Sequence, residues 1–403
     1  MRVNISNITK IFKIKKNEFN MKRLKIALFH PWIKSRGGAE RVVLEIAKNL
    51  KHKVDIYTWV YDKNSTFEEF KKFKVKVIAP KIFYKASRFF IFRGAAFILP
   101  AFFSKIPLEK YDIFLISTGG FAELITFRNY KPGKTYAYVH TILRAAYRDD
   151  VKWNLKYRFK NPLVKLIYLI AVYVYRFLER LAWKRIDVAI FNSELSLERA
   201  KKHNLLKGKK VYIVYPPINV RRFKKLKTKK GDYFLYVARF GMAKRQDLLL
   251  EAWKKFVKKH PKYKLILVGG IENKKYFERI REMVKQIPNV DIKTDVSDKE
   301  LMELYANCLA GIFIPFMEDF GIVPFEFLAC GKPLIAVDKG GYVNLIRKYG
   351  KKEIILIHES KNLINNFANG LSKILKFKKQ GKKILIKEIS LYHFIKTLEK
   401  ILK

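Results

Sequence analysis

Hydrophobic positions along this chain come in short runs, separated by longer stretches with helical spacing. The first unit predicts a strand over residues 24–30, a helix over 39–51 and a second strand over 53–59. Short apolar strands that alternate with amphipathic helices are typical of βαβ units around a mostly parallel sheet. Further strands of this first series are predicted at 74–79, 111–117, 134–140, 187–193 and 210–216.

The alternation stops at Pro216 and Pro217, where a polar, Lys-rich stretch follows over 220–232. We interpret this stretch as a linker, because prolines and loop-forming residues interrupt regular elements. A strand is then predicted at 233–239, where the alternation of strands and helices resumes. The second series has predicted strands at 263–270, 290–293, 309–315, 332–337 and 353–357, and predicted helices at 246–259, at 274–286, from Ser297, from Ile322 and at 389–403.

The pattern therefore predicts an α/β protein with two doubly wound, Rossmann-like domains that face a central cleft. Ligands of such sheets bind beyond the carboxyl ends of the strands, so we expect the functional site in that cleft. The last helix is expected to pack back on the first domain. The predicted limits are a tail over 1–20, a first domain over 21–222, a second domain over 223–388 and the last helix over 389–403.

Composition narrows the classes of function. The 403 residues include 85 Lys and Arg against 35 Asp and Glu, which gives a net charge of +50, and 49% of them are hydrophobic. A chain this apolar is neither disordered nor a basic tail. Its charge favours an anionic partner such as phosphate groups, nucleic acid or an acidic membrane surface.

The two cysteines and seven scattered histidines give neither a disulfide framework nor the spacing of a metal site. We therefore expect no metal, and a cytoplasmic protein that is either free or peripheral on the inner face of the cell membrane. The first twenty residues lack the apolar core of a signal peptide, and Met21 is an alternative start. The longest apolar run, 166–175, is too short to span a bilayer, which needs about 20 residues.

Two cations follow the first strand of the second domain. Arg239 ends that strand and Lys244 lies where the next helix opens. A guanidinium fork and an ammonium at the lip of a parallel sheet suit a diphosphate, whose departing charge they would neutralise. In a chain this basic, the same pair is also compatible with an ordinary solvated surface.

The segment 315–331 carries more specific chemistry. A strand ends at Pro315, a loop holds Glu318, and a helix from Ile322 contains Glu326 among apolar neighbours. A carboxylate in that setting is costly without hydrogen-bond donors, and the paired hydroxyls of a sugar or ribose are natural donors. The alternative is a surface Glu318 with Glu326 in a salt bridge to a lysine.

The spacing of Glu318 and Glu326 resembles the E-x7-E motif of retaining glycosyltransferases with the GT-B fold, and the chain is identified as a member of glycosyltransferase family 4. The resemblance covers nearly the whole chain, from about residue 22 to about residue 403. It rests further on RGGAERVV, YVHT, FNSE, YPPINVRRF and VARFGMAKRQDLLLEAW, which begin at residues 36, 138, 191, 215 and 237.

For the donor, the resemblance implies that Arg239 and Lys244 hold the diphosphate of a nucleotide sugar. It places Glu318 against the hydroxyls of the donor sugar, and Glu326 against the ribose. The backbone of Gly321, Ile322 and Val323 would lie close to sugar and phosphate. No metal cofactor is implied, because the Arg and Lys pair performs the same electrostatic task.

For the first domain, the resemblance implies that Gly37 and Gly38 let the backbone approach the phosphate and the acceptor. It also implies that His140, at a strand end on the same side of the cleft, contacts the transferred sugar. A histidine after an apolar strand is otherwise compatible with a satisfied core residue.

The sequence departs from the family pattern in two places. Asn344 stands where many relatives have a Glu after a glycine pair, and Asp295 stands where a glycine is usual, close to where the base should lie. The identity of the base therefore stays open. The adjacent Asp149 and Asp150 are interpreted as a solvated turn.

Two stretches of the first domain bear on the acceptor. Residues 81–105 and 152–185 mix Lys and Arg with bulky apolar side chains. Such mixtures suit an interfacial segment on an anionic membrane, and they also suit core helices of a large basic protein. We hypothesise a lipid-linked acceptor reached from the bilayer surface.

The resulting prediction is a retaining glycosyltransferase that moves a hexose, with mannose from a GDP donor favoured, to a glycan or lipid-linked acceptor. Glucosyl, galactosyl or N-acetylglucosaminyl transfer from a UDP donor is the first alternative. A basic nucleic-acid-binding protein is the alternative of another class, although no nucleic-acid module is recognisable. A GT-B epimerase or hydrolase of nucleotide sugars is a third.

Overall fold

The computed structural model describes residues 23–80, 98–218, 222–223, 226–229, 231–349, 354–377 and 386–403. Its strands form two parallel sheets, one in each half of the chain, and a minor two-stranded sheet. The strands are β1 Lys25–Phe29, β2 Trp32–Ile33, β3 Lys53–Thr58, β4 Val60–Tyr61, β5 Val75–Val77, β6 Ile113–Thr118, β7 Thr135–Val139, β8 Val188–Phe191, β9 Lys210–Ile213, β10 Tyr233–Val237, β11 Lys264–Val268, β12 Val290–Lys293, β13 Ala310–Phe313, β14 Leu334–Val337 and β15 Ile354–Ile357.

Helices connect these strands along both halves of the chain. The α-helices are α1 Gly38–Asn49, α2 Pro100–Phe103, α3 Arg148–Trp153, α4 Pro162–Trp183, α5 Glu194–Lys202, α6 Gln246–Val257, α7 Lys274–Lys285, α8 Asp298–Asn307, α9 Val323–Ala329, α10 Val343–Tyr349, α11 Leu363–Ile374 and α12 Leu391–Ile401. The predicted strands and helices of both series are thus present, with ends that differ by a few residues. The predicted tail, 1–20, and most of the segment 81–105 lie outside the described residues.

Strand order locates the two topological switch points. The first sheet runs β5-β3-β1-β6-β7-β8-β9, and the second runs β12-β11-β10-β13-β14-β15. Every pairing in both sheets is parallel, so all carboxyl ends of one sheet lie at one edge. The order reverses between β1 and β6 and between β10 and β13, which is where doubly wound sheets bind ligands.

The central strands of both sheets are buried because they are almost wholly apolar and helices cover them. The central strands β6 and β13 are buried along their whole length. Helix α6 buries Leu249, Trp253 and Phe256 against the second sheet, while its lysines remain outside. This pattern, one apolar stripe per helix and continuous apolar strands, is the one that two-sided parallel sheets require.

The last helix packs on the first domain. Phe394, Leu398 and Leu402 of this segment are fully buried in the core of the first sheet. The backbone N–H of Lys51 donates to the Glu399 carboxylate at 3.1 Å. The return from the second half runs beside the outgoing chain, because the N–H of Ile218 donates to the carbonyl of Ile389 at 2.8 Å. The domain limits proposed from the sequence stay a prediction.

Helix α4 has two different faces. Its inner face buries Val172, Tyr175, Glu179 and Trp183. Its outer face exposes eight large apolar side chains, which are Leu163, Leu166, Ile167, Leu169, Ile170, Tyr173, Val174 and Phe177. No helix of the described residues is long and apolar enough to cross a membrane.

Candidate active site

A cavity of about 320 Å³ lies between the two sheets, at the carboxyl end of β1. Nine of its lining residues come from the first domain, and one, Arg239, comes from the second. Its lining consists of His30, Pro31, Trp32, Lys34, Ser35, Ala39, Glu40, Gly119, Gly120 and Arg239. The volume is in the range of small-molecule sites, which makes this cleft the candidate site.

Lys244 and Glu318 meet across the switch point of the second sheet. Lys244 lies in a turn after β10 and Glu318 lies in the loop after β13, and the Lys244 Nζ is 2.6 Å from the Glu318 Oε2. Burial opposes ionisation of Glu318, but the positive charges of Lys244, Arg144 and Arg239 outweigh it and lower the pKa of the carboxyl group. Glu318 is therefore an anion that already has a cation beside it.

Arg239 reaches the cleft from the end of β10. Its side chain is 55% exposed, and its Nε lies 3.5 Å from a carboxylate oxygen of Glu272. An exposed pair at that distance contributes little to stability, so Arg239 can exchange Glu272 for a phosphate at low cost. Arg239 and Lys244 thus flank the same region, as a diphosphate site needs, although their roles stay a prediction.

Glu326 already has a hydroxyl partner within the protein. The Tyr305 hydroxyl donates to its Oε2 at 2.5 Å. Burial raises the pKa of Glu326, and the Tyr305 hydroxyl and Arg222 partly oppose that rise. The chemistry expected of this carboxylate, acceptance from hydroxyls, is therefore present, while its contact with a ribose stays a prediction.

Two glycine loops approach each other across the cleft. Gly321 adopts φ +81°, a left-handed conformation that suits glycine, and a Cβ there would lie 3.0 Å from the Phe313 ring. Ile322 caps helix α9, and Val323 begins it. A Cβ on Gly38, the first residue of α1, would lie 3.7 Å from Cδ1 of Ile322, so the start of α1 faces the start of α9.

Gly37 precedes α1 in the same first-domain loop. A Cβ at Gly37 would come within 2.4 Å of a carboxylate oxygen of Glu40. That carboxylate accepts a hydrogen bond from the Ser35 hydroxyl at 2.5 Å. Gly37 therefore leaves room for a hydrogen-bonded loop that lines the cavity.

His140 does not line the cavity, and its Nε2 is engaged within the protein. That nitrogen lies 2.8 Å from the Ser117 hydroxyl, and the same hydroxyl is 3.0 Å from the Nδ1 of His30. Burial, together with the nearby His30, lowers the pKa of His140 to about 3. Burial lowers the pKa of His30 as well, against the charge of Glu40. Both rings are therefore neutral at physiological pH, and the predicted sugar contact of His140 is untested.

The loop that carries Glu318 is held by the first domain on both sides. The Thr141 hydroxyl donates to the Asp319 carboxylate at 2.9 Å, and the Ser193 hydroxyl donates to the Asp319 carbonyl at 2.6 Å. Arg199 forms an ion pair with the same carboxylate. We call this set, with Arg144, the Asp319 latch.

Arg144 completes the latch through the backbone. It donates to the carbonyl of Met317 at 3.0 Å, and its Nη1 lies 3.9 Å from the Asp319 carboxylate. It also pairs with Asp150 at 3.1 Å. The interpretation of residues 149–150 as a solvated turn is therefore wrong, since they lie in helix α3 and Asp150 is bound to a cation.

Sequence reasoning missed His30, Ser117 and the latch. The two hydroxyl partners of Asp319, on Ser193 and Thr141, are 126 and 178 residues distant in the chain, so no local motif connects them to it. His30, by contrast, carries a usable signal, because it follows the central strand β1 at the switch point.

A network of buried acids lies beneath helix α4. The Tyr175 hydroxyl is 2.6 Å from Glu123 and 3.1 Å from Glu179, and the Tyr147 hydroxyl donates to Glu179. Burial, with the charge of Glu123 added, raises the pKa of Glu179 to about 8. Glu123 also accepts from Thr118 and from the backbone of residue 121, so the network reaches the loop that lines the cavity.

Two family patterns match adjacent parts of the chain. The family described as Glycosyltransferase Family 4 matches residues 36–222. The family described as Glycosyl transferases group 1 matches residues 218–385. Together the two patterns cover residues 36–385, which include the linker, the second sheet and every strand of the first sheet except β1.

Curated relatives match over most of their length. The human GDP-Man:Man(3)GlcNAc(2)-PP-Dol alpha-1,2-mannosyltransferase is 25% identical over an alignment of 405 positions. The alignment covers 89% of this chain and 79% of that protein. The Alpha-1,3/1,6-mannosyltransferase ALG2 of Dictyostelium discoideum is 23% identical over 399 residues, which cover 88% of this chain and 90% of that protein.

Solved structures share the fold. Anabaena Alr3699/HepE in complex with UDP and glucose has a TM-score of 0.66 at 16% identity, over 94% of this chain and 99% of that one. A glycosyltransferase from Rickettsia africae has a TM-score of 0.67 at 18% identity, and the match covers 95% of this chain and 98% of that one. The predicted GT-B architecture is confirmed by this likeness.

Proposed function

This chain belongs to glycosyltransferase family 4, and on that premise we propose that it transfers mannose from GDP-mannose to a lipid-linked glycan, with retention at the anomeric carbon. Its enzyme class is that of the hexosyltransferases. The relatives with mannosyltransferase names match along nearly the whole chain, which supports the choice of mannose and of a lipid-linked acceptor.

The observation that carries the proposal is the meeting of Lys244 and Glu318 where β10 and β13 end. A cation there can stabilise the negative charge that develops on a leaving diphosphate. A fixed anion beside it can accept hydrogen bonds from sugar hydroxyls. Arg239 adds a second cation at the wall of the cavity. Positive charge at the leaving group is what departure of a nucleoside diphosphate requires.

In the same-face route, the bond between the anomeric carbon and the phosphate oxygen breaks as the acceptor oxygen bonds to that carbon. The proton of the acceptor hydroxyl then goes to the leaving phosphate oxygen. Glu318 serves as a sugar contact and not as the base. Its carboxylate is already paired with Lys244, so it is not a free base.

We propose that no metal ion takes part, since Arg239 and Lys244 provide the charge that a divalent cation would otherwise supply. Turnover in excess EDTA, compared with turnover after addition of Mg²⁺ or Mn²⁺, tests this. A rate that falls in EDTA and returns with Mg²⁺ would contradict it.

We further propose that the enzyme works on the surface of an anionic membrane, with the outer face of α4 against the lipid. Eight exposed apolar side chains on one helix form a patch that a monomeric protein rarely leaves in water. Lys160, Arg180 and Lys184 flank that patch, and the chain carries a net charge of +50. Apolar residues beside cations are typical of interfacial helices.

The donor is tested by thermal shift with GDP, UDP and ADP and with their sugars. A ligand at about 100 times its dissociation constant stabilises the protein by about 2.7 kcal/mol, which is enough to rank the bases. A larger shift with UDP would replace the GDP donor by the UDP alternative.

Product analysis with radiolabelled GDP-mannose and Man3GlcNAc2 on dolichol diphosphate completes the test. Transfer of label to the lipid-linked glycan is expected. Release of free mannose alone would favour the hydrolase, and tight binding of duplex DNA without any effect of sugar nucleotides would favour the nucleic-acid interpretation.

A further inference from the structure

His30 occupies the switch point of the first sheet, opposite the proposed donor site. It follows strand β1 and lines the cavity that Arg239 also lines. The residue is 5% exposed, so protein atoms surround most of it. Because His30 borders the cleft, a nitrogen of its ring that makes no bond within the protein can bond to a ligand there.

Hydrogen bonding assigns the proton on His30. Its Nδ1 lies 3.3 Å from the carbonyl of Ser117 and 3.0 Å from the hydroxyl of the same residue. A carbonyl oxygen only accepts, so Nδ1 carries the proton and donates it toward both oxygens. The other ring nitrogen, Nε2, is then a hydrogen-bond acceptor.

The same reasoning extends to His140. The Ser117 hydroxyl accepts from His30 and therefore donates its own proton to Nε2 of His140, at 2.8 Å. The rings of His30 and His140 are 6.3 Å apart, with the serine between them. Proton positions run in one direction, from His30 through Ser117 to His140, and the acceptor nitrogen Nε2 of His30 stays available on a ring that lines the cavity.

We propose that Nε2 of His30 accepts a hydrogen bond from a hydroxyl of the acceptor glycan, and that Ser117 and His140 act as positioning residues that fix its tautomer. The inference rests on the proposed function. It assigns His30 to the acceptor rather than the donor, because nine of ten cavity-lining residues belong to the first domain while the proposed diphosphate cations belong to the second.

The charges around His30 are compatible with a neutral sugar hydroxyl. Glu40 from α1, Lys34 from the preceding loop and Arg239 from the second domain line the same cavity. Opposite signs on its walls leave no strong preference for a charged acceptor group at this point. His30 takes no proton away, since the same-face reaction delivers that proton to the leaving phosphate.

Two substitutions distinguish the roles of the two ring nitrogens of His30. His30→Asn places an amide near the position of Nδ1, which can still bond to Ser117, but it removes the Nε2 acceptor. His30→Gln places an amide oxygen near the position of Nε2. With Man3GlcNAc2 on dolichol diphosphate as acceptor, His30→Asn is expected to raise the acceptor KM about tenfold, the worth of one hydrogen bond. His30→Gln should stay within about threefold of the parent.

A donor measurement separates this inference from the proposed function. The thermal shift given by GDP, and the KM for GDP-mannose, are expected to be the same in the parent and both variants. No GDP shift in the parent would remove the proposed function itself. An unchanged acceptor KM in His30→Asn, or an equal loss in both variants, would overturn the role of His30 while the donor site stands.

Discussion

The ammonium of Lys244 lies 2.6 Å from the carboxylate of Glu318, although 74 residues separate the two in the chain. Each comes from the loop after a different strand, and those two strands are neighbours at the switch point. The pair therefore depends on the register of the second sheet rather than on any local motif.

Removal of this cation is expected to reduce turnover strongly. Lys244→Ala leaves Glu318 without this partner. In the proposed mechanism, it also removes one positive charge beside the departing diphosphate. We expect kcat/KM to fall about 10²- to 10³-fold, the size of effect seen for one electrostatic contact to a transition state. Steady-state kinetics with GDP-mannose measure it.

The matched control is Lys285→Ala, a lysine in an exposed pair with Glu282. This variant should keep the parent rate. Full activity in Lys244→Ala would remove Lys244 from the mechanism.

Asp319→Ala is expected to open the cleft. The substitution removes the carboxylate that accepts a hydrogen bond from the Thr141 hydroxyl and forms an ion pair with Arg199. Arg199 is then left without this ion pair. Charged hydrogen bonds of this kind contribute about 1.5–3 kcal/mol each. We expect a larger radius of gyration in X-ray scattering and a higher donor KM.

Glu282→Ala, which breaks an exposed ion pair within one helix, is the control for the latch and should scatter like the parent. Identical scattering curves for all three proteins would show that the latch does not hold the domains together.

The buried Glu179 predicts a stability that falls as pH rises. Its pKa is raised from 4.5 to about 8 in the folded protein, so between these values the folded state holds more protons than the unfolded state. The stabilisation is complete below pH 4.5 and is lost as pH rises toward 8, by at most about 1.4 kcal/mol per pH unit.

Glu179→Gln removes that proton exchange, so its stability should fall less with pH than that of the parent. Urea unfolding at pH 5, 6.5 and 8 measures the difference. Glu278→Gln, at an exposed pair, should follow the parent. Parallel curves for parent and Glu179→Gln would contradict a protonated Glu179.

Two glycine substitutions are expected to act in different ways. Gly321→Ala forces a left-handed alanine against Phe313 and Tyr342, at 3.0 and 3.1 Å, and should cost about 1–3 kcal/mol of stability. Gly38→Ala meets only Ile322, at 3.7 Å, and should leave stability unchanged or slightly higher.

Activity then separates the roles of these loops. If the backbone at Gly38 approaches the phosphate, Gly38→Ala loses activity while its melting temperature stays the same. Full activity in Gly38→Ala would end the assignment of this glycine to the donor.

Serine substitutions on helix α4 are expected to abolish membrane binding. Leu166, Ile170 and Tyr173 lie on one exposed face, and replacing all three by Ser removes apolar contacts worth about 1.5–3 kcal/mol each when buried in lipid. Flotation with acidic liposomes at moderate salt measures the loss. Tyr392→Ser, at an exposed tyrosine of α12, is the control, and co-flotation of the triple variant would refute contact through α4.

The fold was largely accessible from the sequence because its signals are local. The strand predicted at 24–30 is Lys25–Phe29, and the helix predicted at 274–286 is Lys274–Lys285. Asp295, noted where a glycine is usual, adopts φ +50°, the conformation that explains the family's glycine.

The site was less accessible because its contacts are not local. Glu326 was expected to need a hydroxyl, and it has one, but the hydroxyl belongs to Tyr305. The spacing of two carboxylates predicts neither this partner nor the Asp319 latch, since both depend on how distant elements pack.

The last helix affects how this enzyme can be made in the cell. Phe394, Leu398 and Leu402 complete the hydrophobic core of the first domain, although the entire second domain precedes them in the chain. During translation, part of the core of the first domain must therefore stay uncovered until Phe394, Leu398 and Leu402 have been synthesised, after the whole second domain. A truncation that removes Phe394, Leu398 and Leu402 would therefore damage the domain that was synthesised first.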